Sequence, residues 1–152
     1  MKIAEALSLR TDARRRVDQL RARITANARY QEGEEPTESS ADLLVEAERA
    51  LDELQSWIGR INRTNAAVDL GADGTMTDAL ARRDVLRLRH ALLTSSADAA
   101  AGTGFRQLRS ELRHLTSLPV RELRSRADDV ARELRELDVR IQQANWTHEL
   151  MD

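Results

Sequence analysis

Apolar residues recur along this chain in steps of three and four, and the pattern is cleanest near its end. Leu123, Ala127, Val130, Leu134, Leu137, Ile141 and Ala144 alternate such steps without a break, the spacing of one narrow seam down a helix. Between them lie mostly charges, among them Arg121, Glu122, Arg124, Asp128, Asp129, Arg132 and Glu133. A helix of this kind is marginal in water by itself and needs another helix over its seam. The spacing therefore predicts a packing helix over about 119–145, opened by Pro119 at a tolerated first-turn position.

Three further helices follow from the same rule. The first, about 3–30, carries Ile3, Leu7, Ala13, Val17, Leu20, Ile24 and Ala28, and stops in an acidic loop broken by Gly33 and Pro36. The second, about 41–65, follows Ser40 as N-cap and has a seam of Leu44, Ala47, Leu51, Leu54, Ile58, Ile61 and Asn65. A second stripe of Leu43, Ala50 and Trp57 widens that face, so this helix is expected to be the most buried. The third, about 78–99, is capped by Thr77 and turns Leu80, Ala81, Val85, Leu88 and Leu92 inward. Between Gly102 and Pro119 the leucines at 108, 112 and 115 fit either a short helix or a strand. In the second case one short β-hairpin would join about 75–76 to 109–115.

These elements give a mainly all-α fold: an elongated antiparallel four-helix bundle, or coiled-coil hairpins, forming a single helical domain over 1–152. Aromatics make up only 3% of the residues, too few to fill a wide core, so part of the seams is expected to pair between subunits as a homo-oligomer. The residues assigned to seam packing and self-association are Leu44, Leu51, Leu54, Trp57, Ile58, Leu134, Leu137 and Ile141.

Composition narrows the function classes. Without cysteine there are neither disulfides nor thiolate metal sites. Glu5 and Arg10 interrupt any apolar leader, and no segment approaches the ~20 apolar residues of a membrane span, so a cytoplasmic location is expected. The net charge is −2, but it is unevenly spread: residues 82–126 carry 10 arginines against Asp84, Asp98, Glu111 and Glu122. Within that stretch Arg82, Arg83, Arg87 and Arg89 form the candidate anion-binding cluster. The competing assignment pairs them with the acids of helices 2 and 4. Phe105 is the only aromatic nearby to stack on a base, so nucleic acid is not expected as a partner.

Candidate chemistry is sparse. Glu111 and His114 have the spacing of a di-iron carboxylate–histidine pair, yet the seams contain no second pair, and no metal or other cofactor is assigned. His90 and His148 lie near no recognisable nucleophile, and the glycines are spaced as loop breakers rather than as a phosphate loop. No catalytic residue is assigned. Asn62, Asn65, Asn145, Trp146 and Thr147 cluster at the ends of helices 2 and 4, where they would either line a pocket or cap the helix ends and close the bundle.

Several stretches also carry a resemblance. They are the opening Met-Lys-Ile-Ala-Glu-Ala-Leu, the loop Gln31-Glu-Gly-Glu-Glu-Pro36, Ile61-Asn-Arg-Thr-Asn65, Arg83-Asp84 with His90, and Arg135-Glu-Leu-Asp138 leading into Asn145-Trp-Thr-His-Glu-Leu150. In this order they resemble an uncharacterised bacterial family of small helical proteins, some labelled septicolysin-like. The resemblance implies a helical fold over nearly the whole chain and supplies no site residues. Its label implies membrane activity. The residues themselves favour a non-catalytic, self-associating scaffold or adaptor, with a membrane-active protein or an anion or nucleic-acid binder as the alternatives.

Overall fold

The computed structural model describes residues 1–102 and 112–152. Among them are four α-helices: α1 (Ile3–Asn27), α2 (Ser40–Ala67), α3 (Met76–Ala100) and α4 (Val120–Thr147). A single 3-10 turn, Gly71–Asp73, precedes α3. The fold is all-α, each helix packing lengthwise on another, and no β-sheet occurs among the described residues. Contacts gather into two compact units, Met1–Val68 with Ala144–Asp152, and Asp69–Gln143.

In the first unit α1 and α2 run antiparallel. Arg16 pairs with Glu46 at 2.5 Å, and Arg23 pairs with Glu38, so the end of one helix lies beside the start of the other. Their seam holds Val17 and Leu20 of α1 against Leu43, Ala47 and Ala50 of α2, with Ile24 packed on the margin. Alanines at Ala6, Ala13, Ala47 and Ala50 are all buried, and such small side chains let two helices approach closely. The N-cap of α2 is Ser39, whose hydroxyl accepts from the Asp42 N–H at 3.3 Å, one residue earlier than the sequence spacing implied.

In the second unit α3 and α4 are also antiparallel. Arg82 meets Glu133 and Arg87 meets Asp138, whereas Asp98 near the end of α3 meets Arg124 near the start of α4. The α4 seam is the expected one, with Leu123, Ala127, Val130, Leu137 and Ile141 all buried. Leu134 is the exception and is only half-buried. The helix continues to Thr147, and Ala144 belongs to the first unit.

Three expectations shift in register. On α2 the buried row is Leu43, Ala47, Ala50, Leu54, Ile61 and Thr64, while Leu44 (52% exposed), Leu51 (44%) and Ile58 (42%) stand beside it. The two rows share Ala47, Leu54 and Ile61, and the bulkier neighbours drew the seam one residue too far around the helix. On α3 the buried row is Met76, Ala79, Leu86, Leu93 and Ala97, and it is completed by the half-buried Arg83 and His90. Those two polar residues disguise the true seam, and the cleaner apolar row at Val85, Leu88 and Leu92 lies outside, 52%, 71% and 65% exposed. On α1 the buried positions are Ile3, Ala6, Ala13, Val17 and Leu20, and Ala28 is an exposed C-cap.

The connection into α3 is a built turn. The N-cap is Thr75 rather than Thr77: its hydroxyl accepts from the Asp78 N–H, and Asp78 in return accepts from the Thr75 N–H at 2.8 Å. Gly74 sits at φ 76°, and a Cβ there would lie 2.8 Å from Asp78 Oδ2, so only glycine fits beneath this reciprocal cap. Thr75 forms an isolated bridge with Asp69 rather than with residues 112–115 of the expected hairpin with 109–115. Residues 109–111 of that hairpin lie outside the described residues, and no strand occurs at 112–118.

Burial predicts unequal costs along α4. Leu137 is 0% exposed, so Leu137→Ala should lower stability by about 2–5 kcal/mol. Leu134→Ala should cost distinctly less, because part of that side chain already meets water. Paired urea melts of the two variants check the order.

Candidate functional site

The polar corner assigned from sequence lies within the first unit. Asn62 is exposed, Asn65 is half-buried with its Oδ1 covered and unbonded, Asn145 is buried, and Trp146 is 64% exposed. The Thr147 hydroxyl stays local, donating to the Ala144 carbonyl at 3.3 Å. Among the described residues no hydrogen bond joins Asn62 or Asn65 to Asn145 or Trp146.

Other groups occupy this region. The Met151 N–H donates to the Thr64 hydroxyl at 3.0 Å, and that hydroxyl donates to the Arg60 carbonyl at 2.8 Å. Thr64 is fully buried, so the exchange satisfies a polar group that would otherwise be costly at a helix end. Arg60 reaches the Asp152 carboxylate at 2.8 Å while its guanidinium lies 5.3 Å from the centre of the Trp57 ring. The final residues are thus strapped across the last turns of α2.

A second strap ties the start of α1 to the same segment. The Ile3 N–H donates to the His148 carbonyl at 3.2 Å, and the Leu150 N–H donates to the Met1 carbonyl at 2.8 Å. Lys2 Nζ lies 2.7 Å from Glu149 and donates to the Thr147 carbonyl at 2.9 Å. The Met1 amino group meets the same carboxylate at 2.8 Å. With two cations on it, the Glu149 carboxyl is held down to about 2, first by the Lys2 hydrogen bond and then by the Met1 amine.

The arginine cluster is placed in the second unit among carboxylates. Arg82 donates to Asp73 at 2.8 Å and also to Glu133. Arg83 lies 3.9 Å from Asp138 and 3.4 Å from Asp84, and Arg87 lies 3.7 Å from Asp138. Arg89 has no ion pair among the described residues. The centre of this network is Asp73, whose side chain is only 6% exposed. It accepts from Arg140 through Nε at 2.5 Å and Nη2 at 3.1 Å, besides Arg82. The Arg140 bond, opposed by burial and helped by both positive charges, holds the Asp73 carboxyl below the usual aspartate range. Asp73 was not singled out from sequence. Its signal is the Gly71-Ala-Asp-Gly74 turn, two positive-φ glycines bracketing an acid that faces Arg82, 9 residues on, and Arg140, 67 residues on.

Candidate pockets are shallow. A surface groove of about 630 Å³ along α1 and α2 is lined by charges of both signs, including Arg16, Asp42, Glu46 and Arg49, and the Arg16–Glu46 pair forms part of its wall. Of the carboxylate–histidine pair, Glu111 lies outside the described residues, and Leu112 and Leu115 beside His114 are exposed. Among the described residues no three His, Cys, Asp or Glu converge as metal ligands. His90 sits half-buried in the α3 seam row, and His148 Nδ1 lies 3.1 Å from the Ala144 carbonyl. No described helix is long and apolar enough to cross a membrane.

The sequence profile of a family of unknown function, DUF6847, matches residues 10–150. The chain belongs to that family. It is also similar to a solved structure described as a functionally unknown conserved protein from Corynebacterium diphtheriae, at 37% identity and a TM-score of 0.94, over 99% of each chain. No curated protein matches it.

Two outcomes follow from the charge networks. Asp73→Asn leaves Arg82 and Arg140 facing a neutral amide and should cost about 1–2 kcal/mol, below the range for fully buried pairs because both arginines remain 45% exposed. Thermal melts check it, with Asp128→Asn as an exposed control. At the strap, the folded Glu149 pKa of about 2 lies below its ordinary value of 4.5. Its contribution is therefore fully present above pH ~4.5 and is lost as pH falls toward ~2. Urea midpoints followed from pH 5 to 2.5 should fall less steeply in Glu149→Gln than in wild type.

Proposed function

We propose that the protein is a non-catalytic, self-associating helical protein that acts as a scaffold or adaptor. The observation that carries this is the outer row of α3, where Val85, Leu88 and Leu92 keep helical spacing with 52%, 71% and 65% of their surface in water. Single exposed leucines are ordinary; a row of three at coiled-coil spacing is a helix-sized landing strip. Leu44, Leu51 and Ile58 add a partly exposed row on α2. Of the arginines that an anion-binding role would need, Arg82, Arg83 and Arg87 face carboxylates at Asp73, Glu133 and Asp138.

The septicolysin-like resemblance supplies the alternative, a membrane-active protein using the same rows. Sedimentation velocity at 1 to 100 µM, a range set by the ~µM affinities of small interfaces, should show a concentration-dependent dimer or higher species. A monomer across that range, together with dye release from anionic vesicles, would favour the alternative.

A further inference from the structure

We infer that the partner on the outer row of α3 is a second copy of the same helix, lying parallel to the first. This rests on the self-association reading above and gives it a surface and an orientation. The row runs Ala81, Val85, Leu88, Leu92, Ser95 and Ala99, which in heptad terms alternates d and a positions. It places β-branched Val85 at a and Leu88 at d, which within a parallel arrangement favours two strands, and Leu92 at the next a position.

The charges beside the row decide the direction. Asp84 stands at the flanking g position and Arg89 at e. In a parallel pair a g residue faces the e residue five places on in the other helix, so Asp84 of each copy meets Arg89 of its partner, twice by symmetry. In an antiparallel pair e faces e. The two registers that keep the apolar layers then set Arg89 against Arg89, or Arg89 against Arg82, which Asp73 and Glu133 already hold, and neither brings Asp84 beside Arg89. Arg89 has no ion pair among the described residues. Asp84, whose side chain is 65% exposed, makes only long contacts of 3.4 Å to Arg83 and 3.9 Å to Arg87. Both are available for an intermolecular pair.

Because the chain has no cysteine, single-cysteine crosslinking reads the orientation directly. Ala81→Cys and Ser95→Cys mark the two ends of the row. In the parallel dimer each should form a disulfide with its own copy under mild oxidation, since equivalent d positions come within bridging distance. In either antiparallel register equivalent positions are separated by about 15 Å or more. Leu88→Glu, at a site already in water, should leave the circular dichroism unchanged and weaken the dimer about tenfold or more by burying an unpaired charge. Asp84→Arg should weaken it in an ionic-strength-dependent way, and adding Arg89→Asp should restore it.

A wild-type dimer that crosslinks at both ends, is lost in Leu88→Glu and is rescued by the double charge exchange supports the inference. A dimer indifferent to Leu88→Glu overturns it and leaves self-association through another surface. A dimer sensitive to Leu88→Glu that fails to self-crosslink overturns the parallel orientation. A strictly monomeric wild type overturns the self-association reading itself.

Discussion

A helix with one narrow apolar strip persists in water only where a second helix covers that strip, and each long helix here meets this condition along its length. In α1 and α2 the strip is built largely from alanine and medium-sized aliphatic residues, so the helices can lie close and the charged flanks reach across to each other. In α3 and α4 the same arrangement holds, with Leu86, Leu137 and Ile141 among the most deeply buried side chains. The connections and the charged networks work within the geometry that this coverage sets.

The networks act at the ends, where a helix leaves backbone groups unpaired. Asp73 gathers two arginines at the mouth of the turn entering α3, and Thr75 with Asp78 closes the first turn of that helix. At the far end of α2, Thr64 and Arg60 hold the last residues of the chain, while Lys2 and Glu149 tie in the start of α1. The exposed pairs along the helix sides, such as Arg14–Asp18 and Arg132–Asp129, belong to the solvated surface and contribute little each.

The helices and their all-α character were legible because periodicity and the breakers Gly33, Pro36, Gly74 and Pro119 bound them closely. The inward face of α4 was legible because nothing but charge competed with its apolar row. On α3 the inward face was not, since its true row contains Arg83 and His90, and neighbouring helices rather than local sequence decide that these two can be accommodated. On α2 two adjacent rows were both apolar, and only the close approach of α1 selects the one with the smaller residues. The site was less legible still. The asparagine corner was visible as composition, but the groups that bind one another across it, Thr64 with Met151 and Lys2 with Glu149, are distant in sequence and carry no motif. Asp73 carries no motif either, and its role comes only from Arg82 and Arg140 beside it.

The strap at Lys2 has a consequence for chemistry as well as for packing. Lys2 is the only lysine in the sequence, and its amine is occupied by Glu149 and the Thr147 carbonyl. An acylating reagent directed at lysine side chains therefore has one such side chain to reach, beside the Met1 amine on the same carboxylate, and an acylated Lys2 carries no charge with which to hold Glu149 as an ion pair. Modification and closure of the strap compete for the same nitrogen, which makes the rate of labelling at Lys2 a built-in gauge of how often that end of the molecule opens.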